Sequence, residues 1–290
     1  LYGAGVGIWD ARIRDGSWAE DRTHFPKILG AGVVVAVGSR VEGFRLFEEV
    51  WAYEYDDSRP GFYAEYVAVN GEHVGHMPPQ LGLLEAGAAA VTGLTALQGI
   101  DDHLAVRHGE TVLIFGASGA VGTLAVQFAK RHLARVIGTA SGDAAETLVR
   151  ELGADHVIDA RADGAAEKLR RFAPKGLDAV LALAGGDALE RCLTLLRDGA
   201  RVAYPNGVEP APRRRSGVRT VAYDAEASRR HWDDLARATE EARLRVPLAA
   251  VYPLEQARRA HERIEEGHVV GRVALKIRDE PPSGPIAPLD

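Results

Sequence analysis

The chain has 290 residues, of which 46% are hydrophobic and 26% are charged, a composition typical of a folded protein and not of a disordered one. Its formal net charge of -6 gives no reason to expect nucleic acid or a membrane surface as a partner. The single cysteine, Cys192, excludes disulfides within the chain and cysteine-rich zinc modules. Since no apolar run approaches the ~20 residues of a membrane span and no leader opens the sequence, we expect a cytoplasmic location.

Residues 1–85 are predicted to be rich in β structure. β-branched and aromatic runs, interrupted by glycine and proline, predict strand residues at Ile28, 33–37, 49–53 and 63–69.

Residues 86–245 follow a different pattern, in which each strand is followed by a helix. The apolar run at 111–115 does not alternate, as expected of a strand covered on both faces. The other elements predicted here are strands at 135–139, 156–159, 177–183 and 200–204, and helices at 121–132, 144–152 and 232–243. The alternation predicts right-handed βαβ units and therefore an open, doubly wound parallel sheet.

Residues 246–278 resemble residues 1–85 again in their pattern, with a strand predicted at 249–252, a helix at 254–264 and a strand at 272–277. Residues 279–290 are rich in proline and are predicted to form a flexible tail.

The segment that follows the strand at 111–115 is a glycine-rich turn, G-A-S-G-A-V-G. It resembles the dinucleotide fingerprint G-x-G-x-x-G, with Ala117 at the first glycine position and Gly119 and Gly122 at the second and third. Gly119 would let the backbone approach a pyrophosphate, Gly122 would let the helix pack on the strand, and N–H groups at the helix start would bind the anion. We therefore predict dinucleotide binding, with a purely structural glycine turn as the alternative.

The end of the next strand bears on the choice of cofactor. An NAD site usually carries Asp or Glu there to hold the ribose 2′-hydroxyl, whereas this chain has Thr139, Ala140, Ser141 and Gly142, with no acid before Asp143. The sequence therefore favours NADPH, although no Lys or Arg follows within several residues to pair with its phosphate. Ser141 as a plain turn residue is the alternative.

Several short motifs, in order along the chain, resemble the medium-chain dehydrogenase/reductase superfamily in its zinc-free quinone oxidoreductase (zeta-crystallin-like) branch. They lie at 3–6, 13–16, 25–30, 35–39, 61–66, 92–96, 117–122, 152–159 and 271–273. The resemblance implies a GroES-like β-barrel domain built from 1–85 and 246–278 around a Rossmann domain at 86–245. It also places an opening strand ahead of Leu1 and a few residues after Gly30 that this sequence lacks.

The resemblance also implies which residues bind the cofactor. Thr95 would lie beside the nicotinamide, Ser141 would contact a 2′-phosphate, and Ala184 and Asn206–Gly207 would belong to loops that cover the cofactor. Thr95 as a helix-capping residue and Asn206–Gly207 as a plain turn are the alternatives. The full set of predicted cofactor residues is Thr95, Gly116, Ala117, Ser118, Gly119, Ala120, Val121, Gly122, Thr139, Ser141, Ala184, Asn206 and Gly207.

The sequence departs from the zinc-containing relatives at their metal ligands. The positions of those ligands hold Ile8 or Trp9, a gap after Gly30, and Val91, so we expect no metal. Gly7 and Arg12 stand where quinone reductases of this branch often carry Asn and Tyr.

The function that these features favour is hydride transfer from NADPH to a small apolar electrophile, namely a quinone, an enone or another activated carbonyl. Candidates to line the cleft between domains are Trp9, Arg12, Tyr53 and Tyr63, and none is assigned a catalytic role. The alternatives are an NADPH-binding relative without relevant turnover and a zinc-free alcohol or aldehyde dehydrogenase. The resemblance implies a homodimer, paired through the strand at 219–222. The run Arg213–Arg214–Arg215 is either an exposed loop or a phosphate contact.

Overall fold

The computed structural model describes residues 1–16, 29–54 and 61–279. Ile28, most of the motif at 25–30 and the predicted tail from residue 280 lie outside the described residues. The strands are β1 (Gly3–Val6), β2 (Leu29–Val33), β3 (Glu49–Tyr53), β4 (Val74–His76), β5 (Thr111–Phe115), β6 (Arg135–Thr139), β7 (His156–Ile158), β8 (Leu177–Ala182), β9 (Leu196–Pro205), β10 (Arg219–Tyr223), β11 (Leu248–Pro253) and β12 (Arg272–Lys276).

The helices lie between these strands. They are α1 (Ile8–Asp15), α2 (Leu83–Gln98), α3 (Ala120–Arg131), α4 (Asp143–Glu151), α5 (Ala165–Phe172), α6 (Asp187–Leu193), α7 (Arg229–Ala242) and α8 (Ala257–Glu265). Short 3₁₀ helices occur at Gly71–His73 and Leu254–Gln256, and a π-helical turn at Gly99–His103 continues α2.

The first of two compact units contains Leu1–Val91, Ala227–Glu240 and Val246–Asp290. Its described strands form one sheet in the order β11-β12-β1-β2-β3-β4, antiparallel except for the parallel pair β11 and β12. Strands from the two ends of the chain thus pair in one sheet. The buried face of this unit is built from Ala4, Val6, Ala52, Phe62, Ala260, Val273 and Leu275.

Helix α7 supplies most of the segment 227–240 of this first unit, whereas the sequence pattern placed it within the central region 86–245. The reason is its buried face. Trp232 is fully buried, and its ring packs against the ring of Trp51 on β3, with centroids 5.6 Å apart. Exposing two indole rings to water would cost free energy. Helix α7 therefore packs in the first unit, although it lies within residues 86–245 of the sequence.

Two predicted strands of the first unit differ from the structure. The strand predicted at 33–37 ends at Val33, and two further backbone hydrogen bonds follow: the Val34 N–H donates to the Glu48 carbonyl, and the Phe47 N–H donates to the Val34 carbonyl. Phe47 then has a φ of 71°, a left-handed conformation that ends the ladder. The segment predicted as a strand at 63–69 is irregular, because its valines pack on the core without a backbone partner strand.

The second unit contains Thr92–Glu226 and Glu241–Arg245. Its described strands form a parallel sheet in the order β10-β9-β8-β5-β6-β7. The chain runs outward from β5 in one direction through β6 and β7, and in the other through β8, β9 and β10. This is the doubly wound order of the Rossmann fold, and it confirms the predicted fold class.

The interior of the second unit is mainly apolar, although Asp178 on β8 is also buried. All six residues of β8 are buried, which explains why its sequence does not alternate. Cys192 on α6 packs in the same core at 1% exposure, and burial raises the pKa of its thiol to about 11. Strand β10 lies at the edge of the sheet, which is the position that the predicted homodimer requires; the dimer itself stays a prediction.

The helical segment Leu83–His103 is long and apolar enough by composition to cross a membrane. However, 83% of its most apolar window is buried inside the structure. Packing in a protein core therefore accounts for its apolar sequence.

A buried polar cluster lies in the first unit between α1 and β12. Asp10 is completely buried, and its Oδ2 accepts a hydrogen bond from the Gly7 amide at 2.7 Å, while Oδ1 has no hydrogen-bond partner among the described residues. Arg272 is 3% exposed, donates from Nε to the Ala88 carbonyl at 2.9 Å, and holds its guanidinium 5.5 Å from the centre of the Trp9 ring. The cluster thus places a carboxyl and a guanidinium out of reach of water.

Tyr63 and His261 complete this cluster. The Tyr63 hydroxyl lies 3.3 Å from His261 Nε2, and it also interacts with the Asp10 carboxyl. Burial raises the pKa of Asp10 to about 7, although the Gly7 amide, the Arg272 charge and Tyr63 each act in the opposite direction. Burial likewise raises the pKa of Tyr63.

The raised pKa of Asp10 predicts a pH-dependent stability. Between about pH 4 and pH 7 the folded chain holds a proton that the unfolded chain has released, so the free energy of unfolding falls as the pH rises through this window and levels off above it. We expect Asp10→Asn, which cannot titrate, to gain stability relative to the wild type across the same window, by about 1.4 kcal/mol per pH unit. Urea unfolding at a series of pH values measures this difference.

The exposed substitution Asp163→Asn is the matched control for this experiment. A constant difference in unfolding free energy between Asp10→Asn and the wild type from pH 4 to pH 8 would show that Asp10 is ionised in the folded chain at all of these pH values.

Candidate functional site

Six loops of the second unit lie at one edge of its sheet. Because all of its strands are parallel, their carboxyl ends meet at this edge, and ligands of open α/β sheets bind where the winding direction reverses. Here the reversal lies between β5 and β8. The turn after β5, which carries the glycine-rich motif, therefore occupies the position at which a doubly wound sheet binds a nucleotide.

The start of this turn is held by β6. Gly116 has a φ of 91°, which favours glycine, and its N–H donates to Thr139 Oγ1 at 2.8 Å. The Ala117 N–H donates to the Thr139 carbonyl at 3.0 Å. Thr139, predicted to contact a cofactor, therefore uses both its hydroxyl and its carbonyl to fix the turn.

Gly122 and Gly119 are glycines for different reasons. A Cβ on Gly122 would lie 2.1 Å from the Gly116 carbonyl oxygen, so helix α3 could not rest on the turn with any other residue there. A Cβ on Gly119 would meet nothing closer than that same oxygen at 3.5 Å, which is an ordinary contact. The backbone of Gly119 is extended, with a φ of -79° that any residue adopts. The fold therefore requires Gly122 but does not require Gly119.

The open space at Gly119 lies at the start of helix α3. Gly119 is the N-cap and has no side chain that could satisfy the first N–H groups of the helix. The helix carries Lys130 and Arg131 in its last turn, and no acidic residue lies in its first turn. The positive end of the helix dipole and these N–H groups are suited to hold an anion, and Ser118, Ala120 and Val121 around them are partly exposed.

The loops after β6 and β7 meet beside this turn. Ser141 is exposed, and its hydroxyl donates to Asp159 Oδ1 at 2.9 Å. The backbone N–H of Arg161 donates to the same oxygen at 2.9 Å and holds the carboxylate in place. Sequence reasoning assigns a cofactor contact to Ser141 but misses Asp159, although Asp159 closes the family-like motif at 152–159 and ends a predicted strand.

Thr95 lies on α2 and is tied to the end of β10. It is 8% exposed, and its carbonyl accepts a hydrogen bond from the Tyr223 hydroxyl at 2.8 Å. Burial raises the pKa of Tyr223, so the hydroxyl keeps its proton and stays a donor. One turn further along α2, the Gln98 amide pairs with the backbone of Glu226 through two hydrogen bonds.

The other predicted cofactor loops also follow carboxyl ends of strands. Ala184 is exposed two residues after the end of β8, in the loop that leads to α6. Asn206 is exposed after β9 and donates from Nδ2 to Asp224 Oδ2 at 2.6 Å, and Gly207 has a φ of 88°. The structure thus brings the predicted loop residues of the second unit to one edge of the sheet.

The four predicted cleft residues all belong to the first unit. Trp9 and Tyr63 take part in the buried polar cluster, with the Trp9 ring beside Arg272 and the Tyr63 hydroxyl beside His261. Arg12 is half-buried on α1, and Tyr53 ends β3 opposite Leu29. The structure therefore places Trp9 and Tyr63, two of these four residues, in the buried polar cluster.

The positions that carry metal ligands in zinc-containing relatives hold other residue types. Ile8 and Trp9 begin α1, and Val91 is buried in α2 at 7% exposure. Within residues 1–16, 29–54 and 61–279, no group of three His, Cys, Asp or Glu residues is placed to hold a metal ion. These residues do not fit a zinc ion.

Comparison with known proteins connects this geometry to a family. Residues 152–275 match the family described as zinc-binding dehydrogenase. The chain is 30% identical to a quinone oxidoreductase from Sus scrofa over 278 residues, covering 91% of this chain and 83% of that protein. It is also 30% identical to the mitochondrial NAD(P)H oxidoreductase RTN4IP1 from Homo sapiens, covering 96% of this chain and 80% of that protein.

A solved structure of an NAD-dependent alcohol dehydrogenase superposes with a TM-score of 0.85 at 30% identity, covering 96% of this chain and 90% of that chain. The similarity spans both units and the glycine-rich turn. The chain is an oxidoreductase that belongs to the quinone oxidoreductase branch of the medium-chain dehydrogenase/reductase superfamily.

Proposed function

We propose that the chain transfers a hydride from a reduced nicotinamide dinucleotide to a quinone, an enone or another activated carbonyl. A quinone takes up the hydride and a proton and becomes a quinol, while the dinucleotide is oxidised. The names of the relatives, a quinone oxidoreductase and an NAD(P)H oxidoreductase, support this reaction class.

The observation that carries the proposal is the open space at Gly119. A glycine that the fold does not need, at the N-cap of a helix whose first N–H groups lack a side-chain cap, is what a bound diphosphate requires. A Cβ at Gly119 would occupy the space in which the diphosphate lies. The residues present therefore fit a dinucleotide.

The role of the second unit in this reaction is to bind and orient. The N–H groups at the start of α3 hold the diphosphate, and Gly116 and Thr139 keep the turn rigid beneath it. The loops at Ala184 and Asn206 lie at the same sheet edge and would cover the dinucleotide. When bound, the reduced nicotinamide supplies the hydride.

We propose that the reaction needs no metal. The proposal is supported by the residues at the ligand positions, Ile8 or Trp9 and Val91, whose side chains offer no metal-binding atom. We also propose a cytoplasmic location, which rests on the sequence.

The sequence favours NADPH because no carboxylate follows β6 before Asp143. The relatives' names cover both forms of the cofactor, NAD(P)H in one and NAD in another. The structure adds a carboxylate that the sequence around β6 does not reveal, since Asp159 lies against Ser141. The choice between the two forms therefore depends on this pair.

A second candidate is the oxidation of an alcohol by an oxidised dinucleotide. The similarity to an NAD-dependent alcohol dehydrogenase favours it, and the same glycine-rich turn serves both directions of hydride transfer. Production of reduced dinucleotide from a panel of alcohols, with no quinone consumption, would select this candidate.

The proposed reaction predicts oxidation of reduced dinucleotide by an aromatic quinone. We expect purified protein with NADH or NADPH and phenanthrenequinone to lose the absorbance of the reduced nicotinamide faster than a blank without protein. Folded protein that binds a dinucleotide but consumes neither quinones nor enones would leave the binding-only alternative. Folded protein that binds no dinucleotide would contradict the proposal.

Substitution of Gly119 and of Gly122 by alanine should affect different properties of the protein. Gly119→Ala should leave the free energy of unfolding nearly unchanged and weaken dinucleotide binding by about 10-fold or more, because the new methyl group fills the diphosphate space. Gly122→Ala should destabilise the fold by several kcal/mol, because its methyl group would overlap the Gly116 carbonyl. Urea unfolding and calorimetric titration with dinucleotide measure the two effects. Unchanged dinucleotide affinity in Gly119→Ala would show that the turn is purely structural.

A further inference from the structure

The pair Ser141–Asp159 sits where a Rossmann fold reads the ribose of its dinucleotide. In the usual arrangement an acidic residue at the end of the second strand binds the ribose hydroxyls. Here the second strand of the sheet by sequence, β6, is followed by Ser141, and the carboxylate comes from the end of the third, β7. A hydrogen bond of 2.9 Å from Ser141 Oγ to Asp159 Oδ1 joins the two loops.

The donors and acceptors of this pair decide what it can bind. A serine hydroxyl has one proton, and that of Ser141 is directed to Asp159. The Ser141 oxygen can therefore only accept further hydrogen bonds, and so can Oδ2 of Asp159. A ribose with free hydroxyls donates to such acceptors, whereas a phosphate offers acceptors of its own and a negative charge.

The position of Asp159 is fixed before any ligand arrives. Its Oδ1 also accepts from the Arg161 backbone N–H at 2.9 Å, and the Ala162 N–H donates to its carbonyl at 3.2 Å. The adjoining backbone is held as well, since the Ala140 N–H donates to the Ile158 carbonyl at 3.0 Å. A phosphate could displace the carboxylate only by breaking these contacts.

One arginine side chain of the loop after β9, that of Arg215, is already engaged in an ion pair. Arg215 donates to Glu190 Oε2 at 2.7 Å, and the Arg213 backbone N–H donates to Glu190 Oε1 at 2.9 Å. These contacts lower the pKa of Glu190 despite its partial burial, so its charge persists to compensate the arginine. In the alternative in which Arg213–Arg214–Arg215 contacts a 2′-phosphate, the Arg215 guanidinium is therefore not available for that contact.

We infer that Asp159, positioned with Ser141, is the specificity-determining residue of the site and selects NADH over NADPH. The inference rests on the proposed dinucleotide-dependent function and reverses the preference that the sequence favoured. Asp159 accepts from the ribose hydroxyls of NADH and repels the phosphate of NADPH.

The test is calorimetric titration of the intact protein with NADH and with NADPH. We expect the wild type to bind NADH at least about 10-fold more tightly, and Asp159→Asn to reduce this ratio by about 10-fold or more, by weakening NADH and strengthening NADPH. Asp163→Asn, in the same loop and with the same change of charge, is the matched control and should keep the wild-type ratio. Ser141→Ala removes the hydroxyl that links the loops and should weaken NADH alone.

The outcomes separate this inference from the function on which it rests. Equal binding of both dinucleotides, or tighter binding of NADPH, overturns the inference and leaves the dinucleotide site intact. If NADPH binds more tightly, a loss of NADPH affinity in Arg161→Gln would identify the Arg161 side chain as the group that binds the 2′-phosphate. Binding of neither dinucleotide by folded wild-type protein overturns both the inference and the proposed function.

Discussion

A very close backbone approach in the second unit, between the first turn of α3 and the loop after β5, determines how the candidate site is built. Gly122 lies so near the Gly116 carbonyl that no Cβ fits between them. This contact presses the start of the helix against the end of the strand, and Thr139 on the neighbouring strand locks the loop from the other side. The direction of the first N–H groups of α3, and therefore the place at which the proposed diphosphate would bind, follows from this one contact.

In the second unit the sequence predicts β5, β6 and α3 to within one residue, but it does not predict α5 or α6 and begins β9 four residues late. In the first unit it predicts β3 with the observed bounds and fails at segments that depend on distant contacts. Strand β5 was predicted with its observed bounds because a strand covered on both faces is apolar throughout. In the first unit, the segment 63–69 has the residue types of a strand but packs as an irregular segment, and Trp232 places α7 against Trp51. Those outcomes depend on contacts between distant parts of the chain, which periodicity does not contain.

The residues of the candidate site also differ in whether the sequence alone predicts them. Gly119 and Gly122 follow from the fingerprint, because each position in that motif has its own steric requirement. Asp159 does not follow from it, because it reaches Ser141 only through the pairing of β6 with β7. The sequence also does not predict the buried cluster of Asp10, Arg272 and Tyr63, because charged residues are normally expected at the surface.

The burial of Cys192 has a chemical consequence for a protein that is proposed to reduce quinones. Quinones add to thiolates as Michael acceptors, and only the deprotonated, accessible form of cysteine reacts at a useful rate. The one thiol of this sequence lies at 1% exposure, with a pKa of about 11, inside the core of the second unit. Burial therefore keeps this thiol both protonated and out of reach of such compounds, so the fold itself limits arylation of the chain.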